Sequence, residues 1–326
     1  MSEGRLPRVR YRDGIEIERA DGWLVADADT PPATGLLSHA HGDHLFSEPP
    51  NQLICSELTA ALAARRTDTD VTAAHHPAVD LRPAGHIAGS RAALIEADGG
   101  TVLYTGDVST RDRFYLDGFE PPSADVLVVE STYGTPEYVF PPQWAVEQDI
   151  VDWLDDVDGP VVLFGYALGR AQKLQLLVKR SRRNRLFVSD AIAALNEPIA
   201  AATGVTFGAE RWDHDRALAD EDALVLPTQL NGFAWVESLI ESAGAATAGV
   251  SGWAVDESFR YQGGYDATFP LSDHCDFEEL CRLVEAVDPE QVYTHHGFAD
   301  AFARHLTAKG YDATALRANQ TSLSEF

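Results

Sequence analysis

The sequence predicts an α/β protein, on three observations. Strand-like runs separated by Gly, Pro and Asp turns dominate the first 139 residues. From about residue 140 helix-like and strand-like segments alternate, the pattern of a parallel α/β layer. From about residue 265 a strand, a helix, a strand and a helix complete the chain. The change of rhythm divides it into 1–139 with 265–326, and an insert at 140–264. With 326 residues, 45% of them hydrophobic, the chain can bury a sizeable core in one large or two medium domains.

In order, the first part reads as strands "IEIERA", "GWLVADA", "GLLSH", "RAALIEA", "GTVLYTGD" and "DVLVVEST". One helix, "SELTAALAARR", follows Ser56 as its N-cap. In the insert, helix-like "QWAVEQDIVDWLDDV" leads to the apolar run "GPVVLFG", and helix-like "GRAQKLQLLVKRSRR" leads to "NRLFVSD". Leu174, Leu177 and Val178 fall at helical spacing, as a buried face should. The strand pattern resumes with "YDATFPLSDH". Helix "CDFEELCRLVEAV", strand "EQVYTHH" and helix "ADAFARHLTAKG" follow.

Composition narrows the class. Acids outnumber bases 51 to 25, for a net charge of −26. Only Lys173, Lys179 and Lys309 are lysines. The balance resembles the acidic, lysine-poor proteins of salt-loving microbes, whose self-repulsion is screened where the Debye length shrinks to about 3 Å in molar salt. Such a charge ordinarily argues against nucleic acid as a partner. In high salt it reflects solubility and says little about one site. No apolar run reaches the roughly 20 residues that span a bilayer, and the start has no apolar stretch like a signal peptide's, so a cytoplasmic protein is expected. Cys55, Cys275 and Cys281 give no disulfide framework and read as buried free thiols.

The chemistry concentrates in "LLSHAHGDHLF", residues 36–46. It places His39, His41, Asp43 and His44 directly after a strand, with Gly42 allowing a tight turn. Imidazole nitrogen and carboxylate oxygen suit zinc or another borderline divalent ion. Four such groups exceed what one catalytic zinc takes from so short a loop, so two metals are expected. The remaining ligands should sit at strand ends beside glycine. "RPAGHIAGS" offers His86, "VLYTGDVST" offers Asp107, and "VYTHHGF" offers His295 and His296. Any one of these alone could be an ordinary turn residue.

The series "SHAHGDH", "AGHIAGS" and "YTGDVS" resembles the metallo-β-lactamase fold. "VVESTYG", "YALGRAQKL", "LSDHCDF" and "THHG" resemble its β-CASP nuclease branch. "ESTYGTPEYVFPPQ", "VLFGYALGRAQKL" and "VSGW" followed by "GYDATFPLSDHCD" resemble the ligase-associated DNA exonucleases within it. The resemblance covers nearly the whole chain. It implies a metallo-β-lactamase αββα sandwich, with 140–264 as an α/β β-CASP cap domain.

The implied roles are these. His39, His41 and His86 would hold one metal; Asp43, His44 and His296 a second; Asp107 would bridge them. The ions would be two zincs, with manganese as the alternative. Asp27 would support the loop by hydrogen bonding; Asp29 is the alternative, because "DAD" leaves the register open by two. Asp43 would also orient the attacking water. Glu130 and His274 would serve the leaving group, His274 as general acid. A solvated acid at a strand end is the plain reading of Glu130. Gly169, Arg170 and Lys173 would meet a phosphate at a helix start; a helix start that merely packs is the alternative. The run "KRSRRNR", 179–185, either attracts a nucleic-acid backbone or complements a helix C-terminus. His295 reads as packed or solvent-facing, and His75, His76, His214 and His305 as non-catalytic.

Three function classes follow. The first is a dinuclear-metal nuclease, a single-strand DNA exonuclease in repair or an RNA nuclease of the mRNA 3′-end-processing type. In the wider family a histidine at the His296 position goes with RNA, whereas the group most resembled is named for DNA. The second is a small-molecule metallo-hydrolase, against which the insert and His274 speak. The third is a scaffold that has lost its ligands, and here no ligand is missing. The implied partners are single-stranded DNA or RNA and a DNA ligase or helicase of a repair pathway, with no membrane.

Overall fold

A computed structural model describes residues 5–213 and 216–317; His214 lies outside them. The chain folds into two compact units, 1–137 with 274–326, and 138–273. The second unit runs past the expected limit of 264 because the strand at 267–269 hydrogen-bonds to the strand at 246–250.

The first unit begins with an antiparallel meander, β1 (Val9–Tyr11), β2 (Ile15–Arg19) and β3 (Gly22–Ala26). β4 (Thr34–Leu36), β5 (Gln52–Ile54) and β6 (Ala73–Ala74) extend it as parallel neighbours into a six-stranded sheet in chain order. Helix α1 (Glu57–Thr67) lies between β5 and β6 in sequence. Ser56 caps it, its hydroxyl accepting from Thr59 N at 3.0 Å. A second sheet starts with antiparallel β7 (Val79–Pro83), β8 (Arg91–Ala97) and β9 (Gly100–Tyr104) and continues in parallel β10 (Val126–Glu130).

The second unit holds α2 (Gln143–Asp156), β11 (Val161–Gly165), α3 (Arg170–Val178), β12 (Arg185–Val188), α4 (Asp190–Thr203), β13 (Glu210–Arg211), β14 (Asp222–Pro227), α5 (Ala234–Ala243), β15 (Ala246–Val250), α6 (Ser258–Gly263) and β16 (Ala267–Phe269). Its strands form an all-parallel six-stranded sheet, ordered β13-β12-β14-β11-β15-β16. Every residue of β11 and β14 is buried, as expected of central strands covered on both faces. Leu174, Leu177 and Val178 are buried, as their spacing predicts. Helix α3 stops at Val178, five residues short of the expected run, because Arg180 N and Ser181 N turn back to Leu177 O and Val178 O.

The chain returns to the first unit with α7 (Phe277–Val287), β17 (Gln291–His295), α8 (Ala299–Ala308) and β18 (Ala313–Ala315). β17 pairs in parallel with β10 and β18 with β17, completing the second sheet. Strand β10 shows why the layers form. Val126 and Val128 pack with Ile17, Leu24 and Leu36 between the two sheets. Leu127 and Val129 point the other way, against Leu280, Leu283 and Val284 of α7 and Phe302 and Leu306 of α8. A strand buried on both faces must be apolar throughout, and β10 is until Glu130, its last residue, which still pairs with His295 of β17. Cys55 and Cys275 are buried and Cys281 is half-buried; all three are free. Among the described residues no helix is long and apolar enough to cross a membrane.

Candidate metal centre

All the proposed ligands leave strand ends of the first unit. Beyond β4 the chain runs straight into Ser38 and His39, and Asp27 at the end of the neighbouring β3 organises this exit. Its carboxylate accepts from Ser38 N at 2.7 Å, Ser38 Oγ at 2.5 Å, Tyr104 Oη at 2.7 Å and His44 Nδ1 at 2.9 Å. Burial raises the Asp27 pKa, but His44, His39 and Ser38 outweigh it and hold the group ionised. Its backbone sits at φ 49°, a left-handed conformation that an aspartate tolerates better than most residues.

An ionised Asp27 fixes two imidazoles at once. It can only accept, so His44 Nδ1 carries the proton that it receives and His44 Nε2 is left for another partner. Ser38 Oγ donates to Asp27, so its oxygen accepts from His39 Nδ1 at 2.9 Å and His39 Nε2 is likewise presented. Both Nε2 atoms are buried without a hydrogen bond, and so is Asp107 Oδ1. Leaving three buried polar atoms unmade is costly, and they are the donor types that a borderline divalent ion takes.

Asp107 lies where these atoms converge. Its Oδ2 is 3.3 Å from His39 Nε2, 3.5 Å from His86 Nε2 and 3.6 Å from His44 Nε2, while Oδ1 faces His296 Nδ1 at 4.0 Å. His41 Nδ1 lies 3.2 Å from His86 Nε2. Burial raises the Asp107 pKa, but His44, His39 and His274 overcome it and hold the carboxyl well below the usual range. Burial would lower the His44 pKa, yet Asp107, Asp27 and Asp43 lift it to about 10. Gly106, at φ 54°, brings this loop against the first: a Cβ there would meet Ser38 Cβ at 2.5 Å.

Among the described residues, ligand-capable atoms gather within 4.8 Å in overlapping groups: His39, His41, His86 and Asp107; Asp27, His39 and His44; His44, Asp107 and His296; Asp107, Glu130 and His274. Asp43 is in none of these groups. It is exposed, on the wall of a cavity of about 260 Å³ that His44 and His296 also line. His44 and His41 lower its pKa against burial and Asp107. His296 follows β17 at φ 59°, ahead of Gly297 at φ 52°. Asp29 takes no part through its carboxylate in holding the loop; its carbonyl accepts from Ser47.

Glu130 is fully buried and makes a second cluster with His274. Its Oε1 lies 2.8 Å from His274 Nδ1 and accepts from Val108 N at 3.2 Å; its Oε2 accepts from Thr132 N at 2.9 Å. It is not the solvated acid of the plain reading. A carboxylate that accepts two backbone N–H bonds is an acceptor for His274 too, so His274 Nδ1–H donates to it. The His274 ring lies 4.5 Å from that of His86.

Ser38 and Tyr104 are not among the expected site residues, although both stand inside the same motifs; for Ser38 a hydroxyl next to His39 is the signal, and for Tyr104 the sequence carries none. His295 is packed: it is 2% exposed and stacks on Tyr104 at 5.7 Å. Burial first, then His296, holds its pKa down to about 3. His75, His76 and His305 belong to none of the ligand-capable groups.

Comparison with known proteins adds relatives to this geometry. No family model matches the chain. It is 34% identical over 323 residues to a probable DNA ligase of Opitutus terrae, covering 94% of this chain and 31% of that one. It is 26% identical to an RNase J-like protein of Methanocaldococcus jannaschii, over 52% of each. It is 37% identical to endoribonuclease YSH1 of Gibberella zeae, over 48% of this chain and 18% of that one. The chain thus spans only about a third, a half and a fifth of these relatives. The chain belongs to the metallo-β-lactamase/β-CASP nuclease family. A solved structure of a protein of unknown function from Enterococcus faecalis V583 matches with TM-score 0.66 and 14% identity, over 97% of this chain and 99% of that one, and so shares the fold.

In this β-CASP family chain the residues of "GRAQKL" are not surface charges. Arg170 is 2% exposed and Lys173 fully buried. Both pair with Asp273, Arg170 at 3.0 Å from Oδ2 and Lys173 against Oδ1. Gly169 sits at φ 100°, and its N–H already donates to Gln172 Oε1 at 2.7 Å. The expectation that these three residues present charge and N–H groups to a phosphate is therefore corrected: an internal carboxylate and an internal amide take them. The 179–185 run is also engaged. Arg180 pairs with Glu147, Arg182 with Asp155 and Arg185 with Asp222. Arg183 donates to the Leu154, Val157 and Gly159 carbonyls at the C-terminal end of α2. The helix-end reading of the run applies, on α2.

Proposed function

We propose that this chain is a dinuclear-metal hydrolase of nucleic-acid phosphodiester bonds, and within that class a single-strand DNA exonuclease of the ligase-associated kind. One observation carries the reading: five histidines face the two oxygens of one buried aspartate, beside a histidine held on a buried glutamate. We read 1–137 with 274–326 as the αββα sandwich and 138–273 as the β-CASP unit. The two face-packed sheets of the first and the all-parallel sheet of the second support this. The 94% overlap with part of a much longer relative named a probable DNA ligase supports DNA as substrate and a ligase, or a helicase of the same pathway, as partner. The acidic, lysine-poor surface supports a salt-adapted, cytoplasmic setting.

His39, His41 and His86 would hold one ion, His44, His296 and Asp43 the other, and Asp107 both. Two zinc or manganese ions would activate water and offset charge on the phosphoryl oxygens. The remaining work falls to side chains. Asp43, on the cavity wall, accepts a hydrogen bond from the attacking water and orients it. His274 Nε2 gives its proton to the leaving sugar oxygen. Glu130 holds the ring and offsets the imidazolium charge before transfer.

RNA is the second reading, supported by the RNase J-like and YSH1 relatives and by a histidine at position 296. Matched end-labelled DNA and RNA strands, digested in high salt with zinc or manganese, decide between them. Ladder-free release of single nucleotides from DNA is expected. Internal cuts confined to RNA would overturn the DNA reading, and no cleavage of either would overturn both.

A further inference from the structure

The structure assigns Arg111 as a positioning residue for His274, a role that rests on the proposal that His274 is the general acid. His274 stands two residues ahead of Asp276, the N-cap of α7. Asp276 and Glu279 form a reciprocal capping box. Asp276 Oδ1 accepts from Glu279 N at 2.8 Å, and Glu279 Oε2 accepts from Asp276 N at 2.9 Å. Capping uses one oxygen of each carboxylate. The other two go to a single guanidinium: Arg111 Nη2 donates to Asp276 Oδ2 at 2.7 Å, and Arg111 Nε to Glu279 Oε1. The carboxylate side chains are 3% and 6% exposed and Arg111 21%. Molar salt screens pairs buried to this degree far less than surface pairs.

Arg111 belongs to the segment that leaves Asp107. That segment touches the His274 segment again where Cys275 N donates to Val108 O at 2.8 Å. It touches the Glu130 carboxylate through Val108 N. The backbone that follows His274 is therefore referenced to the loop that carries Asp107, by one backbone hydrogen bond and one guanidinium fork. The fork is the part that a side-chain substitution removes. A guanidinium spans two carboxylates in one plane; an ammonium cannot. Loss of the fork frees the α7 cap to shift, and His274 with it, while the metal ligands keep their own supports. Misplacing a reacting group by about 1 Å costs roughly 10²-fold.

The test compares Arg111→Met and Arg111→Lys with wild type and His274→Ala, each purified with its metal in high salt. Two readouts are taken. On an ordinary phosphodiester, Arg111→Met is expected to lose about 10- to 100-fold, with much less loss on a nitrophenyl phosphodiester. Arg111→Met/His274→Ala should be no slower than His274→Ala alone. On zinc-loaded protein labelled with ¹⁵N-histidine, the His274 ring signal should broaden or split in Arg111→Met, with metal content unchanged. Should Arg111→Met fail to fold, Arg111→Lys carries the test, with a smaller change in the same direction. A His274 signal identical to wild type, equal losses on both substrates, or additive losses in the double variant would overturn the assignment. If the wild type cleaves no phosphodiester, the nuclease reading fails, and the ring signal alone still decides whether Arg111 positions His274.

Discussion

Asp27 Oδ2 lies 2.9 Å from His44 Nδ1, and that contact turns His44 Nε2 toward Asp107, 3.6 Å away. The same oxygen takes the Ser38 and Tyr104 hydroxyls, so one carboxylate sets the orientation of two imidazoles proposed as ligands, His44 directly and His39 through Ser38. Asp27→Ala should therefore weaken metal binding by about 10- to 100-fold while leaving every direct ligand in place. Calorimetric titration of the metal-free protein with zinc checks this; unaltered affinity would sink the supporting role. Asp27→Asn should also weaken it, because whichever way the amide turns its nitrogen faces a donor, Ser38 N or His44 Nδ1.

Elemental analysis should find about two zinc-like ions per chain, the number that dinuclear sites carry. Asp43→Ala should lower the second equivalent together with activity, since Asp43 is proposed as both ligand and orienting base. A full two equivalents in that variant would confine Asp43 to orienting the water, in line with its exposed place on the cavity wall.

His274→Ala should keep both metals, because His274 is proposed as an acid and not as a ligand. Its rate should fall roughly 10²–10⁴-fold on nucleic acid, the usual worth of a general acid. The deficit should shrink on a nitrophenyl phosphodiester, whose leaving group needs no proton. Loss of a metal ion from this variant would make His274 a ligand instead.

Lys173→Met should act on stability. It leaves Asp273 buried with less compensation, a change that costs about 3–5 kcal/mol when one partner of a buried pair is removed. Denaturant unfolding in high salt measures it. A variant of unchanged stability that loses substrate affinity would restore Lys173 to the phosphate contact first expected of it.

The net charge of −26 should make the fold depend on salt. Lowering salt from 1 M to 0.1 M lengthens the Debye length from about 3 to about 10 Å and exposes the acids to one another. Circular dichroism during dialysis should show loss of structure. A protein equally stable at both ends would refute salt adaptation and leave the metal centre untouched.

The chain's own letters determined more of this protein than is common. "SHAHGDH" after an apolar strand, and glycine-flanked His86, Asp107 and His296, named a candidate metal centre because ligand chemistry allows few residue types and a strand end is where they can converge. Runs such as "VVLFG" marked buried strands, because a strand covered on both faces has no polar position to show. Tertiary structure alone decided which charges are used up inside. Arg170 and Lys173 read as phosphate contacts until Asp273, a hundred positions on from Lys173, is seen to take both. Arg183 reads equally as nucleic-acid bait or as a helix-end cation until the α2 carbonyls are seen beneath it. Glu130 reads either as the partner of His274 or as a solvated acid until Val108, Thr132 and His274 are seen to close around it. A sequence displays a charge but not its partner, and in a medium where burial makes an unpaired charge costly, the partner settles what the charge is for.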